Sequence, residues 1–166
     1  MKIAVSVTAG CLAALAGAAV FADIVRYPLS GGSTFPIARA VEVPAGTTLI
    51  YHSGLTPRPS NPDADADSRE YYGDTRMQAL SVFALMEESL TEIGCDFGDI
   101  VKMTVFLVGD PLNEGRMDFA GFMEAYSMYF GTEEQPNLPA RSALQVAGLA
   151  NPAYLVEVEV VIAIQR

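Results

Sequence analysis

Two stretches near the carboxyl end of the chain decide the fold: NLPARSALQV, from Asn137 to Val146, and VEVEVVIAI, from Val156 to Ile164. The second is the most strand-like segment of the sequence, because β-branched residues recur at every other position. Alternate residues of a strand point to opposite faces of its sheet. The alternation therefore predicts Glu157 and Glu159 on one face and an apolar row on the other: Val156, Val158, Val160, Ile162 and Ile164.

The two glutamates stand in a wall of β-branched residues, where an unpaired buried charge is costly. Arg141 is the nearest candidate partner, because its guanidinium is always charged and its planar fork matches a carboxylate. We interpret Arg141 as the group that holds an anionic ligand and Glu157 as the group that handles protons. The alternative is a structural ion pair between neighbouring strands. For Glu159 the expectation is a pairing or interface role.

Three stretches further towards the amino end extend this pattern: YHSGLTP (51–57), GDIVKMTVF (98–106) and DFA (118–120). Together with LPARS and VEVE, and in this order and spacing, they resemble the Rid family of reactive intermediate (enamine/imine) deaminases. The resemblance covers roughly residues 35–166.

The resemblance implies an α+β subunit in which a mixed β-sheet carries two helices packed on one face. This fold is chorismate-mutase-like, and the family assembles it into a trimeric barrel with a ligand pocket at each subunit interface. In that pocket Arg141 would hold the substrate carboxylate and Glu157 would position water against the carbon of a C=N bond. Gly54 would let the backbone approach the ligand closely.

Three pocket positions depart from the family pattern. Ile37 stands where the family has a tyrosine, Met123 where it has a small polar residue, and Ala143 where it has a cysteine. The resemblance therefore implies that the anion clamp is kept while the rest of the substrate-binding pocket becomes more apolar.

Two functions follow from these residues. The first is hydrolytic deamination of enamine/imine intermediates to 2-keto acids and ammonia. The alternative is a trimer that binds small carboxylates or hydrophobic anions in the periplasm without turnover. No cofactor or metal is expected, because one histidine, His52, without a cysteine cluster does not make a zinc site. The acidic run 63–68 allows a calcium loop or a solvated loop, and its lack of a glycine at the sixth position favours the solvated loop.

Composition limits the partners. The length of 166 residues favours one domain, and the formal net charge of −10 argues against binding to nucleic acid or to anionic membrane surfaces. A positively charged pocket at Arg141 remains compatible with that charge.

The amino-terminal residues 1–22 are typical of a signal peptide: Lys2, then an apolar run, then VFA ending at Ala22. Asp23 would begin a periplasmic or secreted protein with no stable membrane association. The alternatives are a retained membrane anchor and a lipoprotein modified at Cys11. We expect a flexible lead-in over 23–34 and the Rid-like domain over 35–166.

Local patterns predict the order of elements. We expect a hairpin of strands 40–43 and 48–53, with Gly54 ending the second strand, and then a loop over 57–72. Asp74 and Asp118 are candidate helix caps. The predicted elements after the loop are a helix over 75–93, a strand over 101–108, a helix from 118 to 130, and the two strands described above.

Overall fold

The computed structural model describes residues 22–165. Six strands and three helices follow one another along this part of the chain, joined by short 3₁₀ turns. In chain order they are β1 (Val25–Tyr27), β2 (Ala40–Glu42), β3 (Thr48–Leu55), α1 (Arg69–Tyr72), α2 (Thr75–Glu92), β4 (Ile100–Val108), α3 (Phe119–Tyr126), β5 (Ala140–Val146) and β6 (Val156–Ile164).

The main sheet is mixed, and its strands lie in the order β3-β6-β4-β5. The pairs β3–β6 and β4–β6 are antiparallel, whereas β4 and β5 run parallel. Helices α2 and α3 pack together over the inner face of this sheet, and the core lies between the two layers. The α+β class with two long helices on one face of a mixed sheet is thus confirmed.

The inner face of the sheet carries the apolar row that the alternation predicted. Val156, Val158 and Val160 of β6 are buried, and so are the β4 residues opposite them, Leu107, Val105 and Met103. The outer face carries the residues between them, among which Glu157 is half-buried and Glu159 is exposed.

Both long helices begin at their predicted caps. Asp74 accepts a hydrogen bond from the backbone N–H of Met77 at 2.8 Å, and Asp118 accepts one from that of Gly121 at 2.9 Å. Gly94, at φ +72°, follows the end of α2, as expected of a helix stop. Helix α3 ends at Tyr126 and does not reach residue 130.

The predicted amino-terminal hairpin is wrong. Strand β2 pairs with β1, and β1 lies inside the segment expected to be a flexible lead-in. Strand β3 pairs with β6. Arg26 holds β1 against the body of the fold by donating to the carbonyl of Gly98 at 2.6 Å. A distant partner thus orders this short strand, which lies next to the polar, glycine-containing stretch 30–33.

Two smaller differences concern the loop ends. Gly54 lies inside β3 and does not end it, at a register irregularity between His52 and Leu55. The predicted loop 57–72 contains helix α1, whose first turn is capped by Ser68. The proposed signal peptide lies outside the described residues, apart from Ala22. Within 22–165 we find no helix long and apolar enough to span a membrane.

Candidate functional site

Arg141 lies on the inner face of the sheet, towards helix α3. Its register partner on β4 is Met103, which is fully buried against the helices. Four aromatic rings surround the guanidinium carbon at distances of 4.2–5.8 Å to their centroids. At these distances a cation is attracted to the ring faces. The four rings, which we call the aromatic cage, belong to Phe35, Phe119, Phe122 and Tyr126.

The polar contacts of Arg141 are weak. Its Nη2 donates to the sulfur of Met123 at 3.2 Å, and a thioether is a poor acceptor. Its buried Nη1 finds no hydrogen-bond acceptor within residues 22–165. Burial lowers the pKa of Arg141, an effect that the neighbouring Tyr126 partly opposes. The site therefore presents a desolvated cation with donor capacity left over, an arrangement suited to an incoming anion.

Tyr126 fixes one wall of the cage. Its hydroxyl donates to the carbonyl of Pro36 at 2.8 Å, which ties the segment before β2 to helix α3. Burial raises the pKa of Tyr126 well above its ordinary value of 10.0, although the charge of Arg141 opposes the shift. The hydroxyl therefore remains a neutral donor, and Phe35 and Ile37 are held on either side of Pro36.

A cavity of about 290 Å³ with both apolar and polar lining adjoins the cage at Phe35. Phe35 and Ile37 line one side of it, and Leu138 lines another. Ala143, two residues after Arg141, packs against the hydrophobic core. The predicted pocket residues Ile37, Met123 and Ala143 thus all lie on the Arg141 side of the sheet.

Glu157 and Gly54 form a separate group. Glu157 pairs with Phe106 on β4, three residues along from Met103, and so lies on the outer face. Its carboxyl group packs directly over Gly54, where an added Cβ would overlap Oε1 and lie 2.9 Å from Cδ. Only glycine leaves this carboxylate room in its present position, which gives Gly54 a role that spacing alone did not specify.

The structure does not bring Arg141 and Glu157 together within one subunit. Strand β4 separates β5 from β6, and the two side chains point to opposite faces. The alternative of an ion pair between neighbouring strands is therefore wrong. Within residues 22–165 the arginines in ion pairs are others: Arg58, Arg69, Arg76 and Arg116.

The remaining candidates have ordinary surroundings. His52 Nε2 lies 2.8 Å from Ser89 Oγ, and its Nδ1 lies 2.8 Å from the carbonyl oxygen of Ser53. Glu159 borders a small outer-face cavity that His52 and Lys102 also line. Among the described residues no three potential ligand side chains gather as a metal site would require.

The part that the aromatic residues of α3 play around Arg141 was not predicted from the sequence. Their spacing did contain a signal, since Phe119, Phe122, Met123 and Tyr126 lie at i, i+3, i+4 and i+7 on one helix face. No sequence pattern indicated that Phe35 lies near Arg141, because this proximity depends on tertiary contacts.

Comparison with known proteins identifies the family of the chain. The family described as Endoribonuclease L-PSP matches residues 33–164. A RutC family protein of Pyrococcus abyssi is 37% identical over 127 residues, 76% of this chain and 84% of that protein. The 2-iminobutanoate/2-iminopropanoate deaminase of mouse is 33% identical over 126 residues, 76% of this chain and 79% of the mouse protein.

Solved structures point the same way. Escherichia coli TdcF with bound serine superimposes with a TM-score of 0.54 at 29% identity, covering 84% of this chain and 94% of TdcF. The Rid family protein YyfA of Yersinia pestis gives 0.52 at 27% identity, with the same shares covered. The chain belongs to the Endoribonuclease L-PSP family, whose relatives carry the names RutC and Rid.

Proposed function

We propose that this protein hydrolyses reactive enamine/imine intermediates to 2-keto acids and ammonia. The observation that carries the proposal is Arg141, a desolvated guanidinium with an unpartnered Nη1 and only a thioether on Nη2. A 2-imino acid supplies the carboxylate that such a group binds with two parallel hydrogen bonds. Relatives named as deaminases of 2-imino acids and of reactive intermediates support the same substrate class. TdcF, whose structure contains serine, shows that a relative accepts a ligand with a carboxylate.

Glu157 would perform the proton chemistry. Its carboxylate orients a water molecule and accepts a proton as the water oxygen bonds to the imine carbon. The proton then passes to nitrogen and gives a carbinolamine. Glu157 next accepts the hydroxyl proton and returns it to nitrogen as the C–N bond breaks, so that ammonia leaves and the C=O bond of the keto acid forms. Gly54 keeps this carboxylate in place by leaving space beside it.

The opposite orientations of Arg141 and Glu157 support a site shared between subunits. A trimer would place the outer face of one subunit, with Glu157, against its neighbour at the edge strand β5, which carries Arg141. Large apolar side chains on the outer face of the sheet favour such an assembly: Leu49 is 42% exposed, Tyr51 77% and Leu144 46%.

The description of the family as endoribonucleases suggests RNA as a different substrate. A formal net charge of −10 disfavours a phosphate backbone and leaves a small anion as the better ligand for Arg141. The proposed place of action is the periplasm or the exterior, reached after removal of residues 1–22.

Two variants test the proposal. Arg141→Lys keeps the charge but loses the planar fork, so carboxylate affinity should fall roughly ten- to a hundredfold, as expected for one charge-assisted hydrogen bond of about 1.5–3 kcal/mol. Glu157→Gln should retain binding while turnover falls by about 10²–10⁴. The assay generates imines in situ with an amino-acid oxidase and measures the protein-dependent rate of keto-acid release. Imine turnover that does not depend on Glu157 would contradict the proposed mechanism.

The alternative is a carboxylate-binding trimer without turnover. The apolar surroundings of Arg141, with Met123 on Nη2 and Ile37 beside the adjoining cavity, favour this alternative. Wild-type protein that binds carboxylates through Arg141 and accelerates no imine hydrolysis would establish it in place of the enzyme.

A further inference from the structure

Arg141 is surrounded by more apolar surface than it needs to bind a carboxylate. Phe35 is the outermost ring of the aromatic cage: it lies 5.5 Å from the guanidinium carbon and is 39% exposed. It also lines the adjoining cavity of about 290 Å³. One side chain thus connects the anion-binding group to an open apolar space.

The cavity is attached to the Arg141 strand by the backbone. The N–H of Ala38 donates to the carbonyl of Pro139 at 3.0 Å, and Ala38 forms a parallel bridge with Ala140. These contacts place the wall formed by Phe35 and Ile37 beside the residue that precedes Arg141. Phe35 belongs both to the aromatic cage and to this wall, so the cavity begins beside the cage.

The chemistry of the cavity excludes one class of ligand side chain and favours another. None of the residues lining it is acidic. Its arginine, Arg26, donates through Nη2 to the carbonyl of Gly98 at 2.6 Å, while its buried Nε has no acceptor within residues 22–165. Phe35, Ile37 and Leu138 supply apolar surface on its walls. Ser33, Thr34 and Asn137 contribute polar atoms to the same lining. The space therefore stabilises an aliphatic or aromatic group on its apolar wall and offers no carboxylate to a basic one.

We propose that this cavity receives the side chain of the substrate, so that the preferred substrates are 2-imino acids with a large apolar side chain, such as those derived from phenylalanine or leucine. This inference rests on the proposed deaminase function. With the carboxylate on Arg141, the side chain passes Phe35 and enters the cavity between Ile37 and Leu138. An imine derived from alanine fills none of this space.

The test compares imines generated in situ from phenylalanine, leucine, glutamate and alanine. Semicarbazide traps the imine that the protein does not consume. The decrease in trapped imine when the protein is added therefore reports enzymatic hydrolysis. We expect kcat/KM for the phenylalanine- and leucine-derived imines to exceed that for the alanine-derived imine by about tenfold or more, since an apolar pocket discriminates methylenes by roughly 10–200-fold. A preference for the alanine- or glutamate-derived imine would overturn the inference and leave the deaminase function standing.

Ile37→Ser places a hydroxyl on the cavity wall and should lower the ratio of the phenylalanine-derived to the alanine-derived kcat/KM by about tenfold. Leu112→Ser, at a side chain 82% exposed and not among the cavity residues, is the matched control and should leave the ratio unchanged. A ratio unaltered by Ile37→Ser would contradict the assignment of this cavity.

A second measurement separates the two proposals. If no imine is accelerated, the deaminase function is wrong, and calorimetry with phenylpyruvate and pyruvate decides whether the cavity recognises an apolar side chain. Tighter binding of phenylpyruvate, weakened by Ile37→Ser, would support the cavity assignment. Equal binding of the two keto acids, or binding of neither, would refute it.

Discussion

Arg141 and Glu157 lie on opposite faces of one sheet, with strand β4 between the strands that carry them. Within a single subunit, the two residues cannot both contact one small ligand. A site that uses both therefore needs two copies of the chain, and this requirement is testable without a structure of the assembly.

Mixed trimers provide the first prediction. Arg141→Lys and Glu157→Gln chains carry different tags, are co-expressed, and are purified through both tags in turn. In a closed ring of three subunits, a site that takes Arg141 from one subunit and Glu157 from the next is intact at about one position in three. We expect the mixture to have about one third of the wild-type kcat/KM, measured at substrate concentrations well below KM, where either variant alone has a much lower rate. Turnover no higher than that of the parent variants would exclude a shared site.

Gly54→Ala is the second prediction. The added Cβ would overlap Oε1 of Glu157, so the carboxylate must rotate away from its present position. We expect turnover to fall by about 10², the usual cost of misplacing a catalytic group by an ångström. Carboxylate binding, measured by calorimetry, should change little because Arg141 lies on the other face. The control is Gly148→Ala, where no atom lies within 4 Å of the added Cβ.

The alternation of β6 and the caps at Asp74 and Asp118 were predictable from sequence, because each depends on residues at most a few positions apart. The order of the strands was not. Nothing in the sequences of β5 and β6 shows that β4 lies between them, and this one non-local fact decides that Arg141 and Glu157 face apart. Period two fixes which residues of a strand share a face, but not which face of the sheet they join.

The surroundings of the candidate site were predictable in part. Ile37, Met123 and Ala143 came from the family resemblance, and all three lie on the Arg141 side of the sheet. The contact of Phe35 with Arg141 was not predicted, because the two residues lie more than a hundred positions apart in the chain. Its position depends on the hydrogen bond from Tyr126 to Pro36, a contact between segments with no pattern in common.

Disruption of the outer face is the third prediction. Leu144→Glu introduces a charge at a side chain 46% exposed on the face proposed to meet a neighbouring subunit. An unpaired charge in a dry interface is costly, so light scattering should show the trimer replaced by a species of about one third the mass. Leu112→Glu, at an 82% exposed side chain away from the sheet, should remain trimeric. A monomeric wild-type protein would contradict the proposed assembly.

Signal cleavage is the fourth prediction. Mass spectrometry of protein from its native host should give Asp23 as the amino-terminal residue, because the VFA sequence ending at Ala22 suits signal peptidase. Ala22→Leu places a bulky side chain at the cleavage position and should leave the precursor uncleaved. Membrane-retained wild-type chains that still carry Lys2 would instead indicate an anchor.

Tyr126→Phe is the fifth prediction and concerns stability. Near neutral pH the variant should unfold more easily by about 1–3 kcal/mol, since it leaves the Pro36 carbonyl without its hydroxyl donor. Burial raises the folded-state pKa of Tyr126 above its ordinary value of 10.0, so the folded state keeps a proton that the unfolded state loses. The resulting stabilisation is fully present below pH 10 and is lost as the pH rises above it, by up to about 1.4 kcal/mol per pH unit.

The difference in unfolding free energy between wild type and Tyr126→Phe should therefore shrink between about pH 8 and about pH 11. Urea titrations monitored by circular dichroism at both pH values measure it. Tyr51→Phe, at a ring 77% exposed, serves as the control and should differ from wild type by less than about 0.5 kcal/mol at neutral pH. A difference for Tyr126→Phe that stays constant or grows with pH would mean that the hydroxyl ionises at least as readily in the folded protein as in the unfolded chain. In that case the cage around Arg141 would be wetter than the buried ring of Tyr126 indicates.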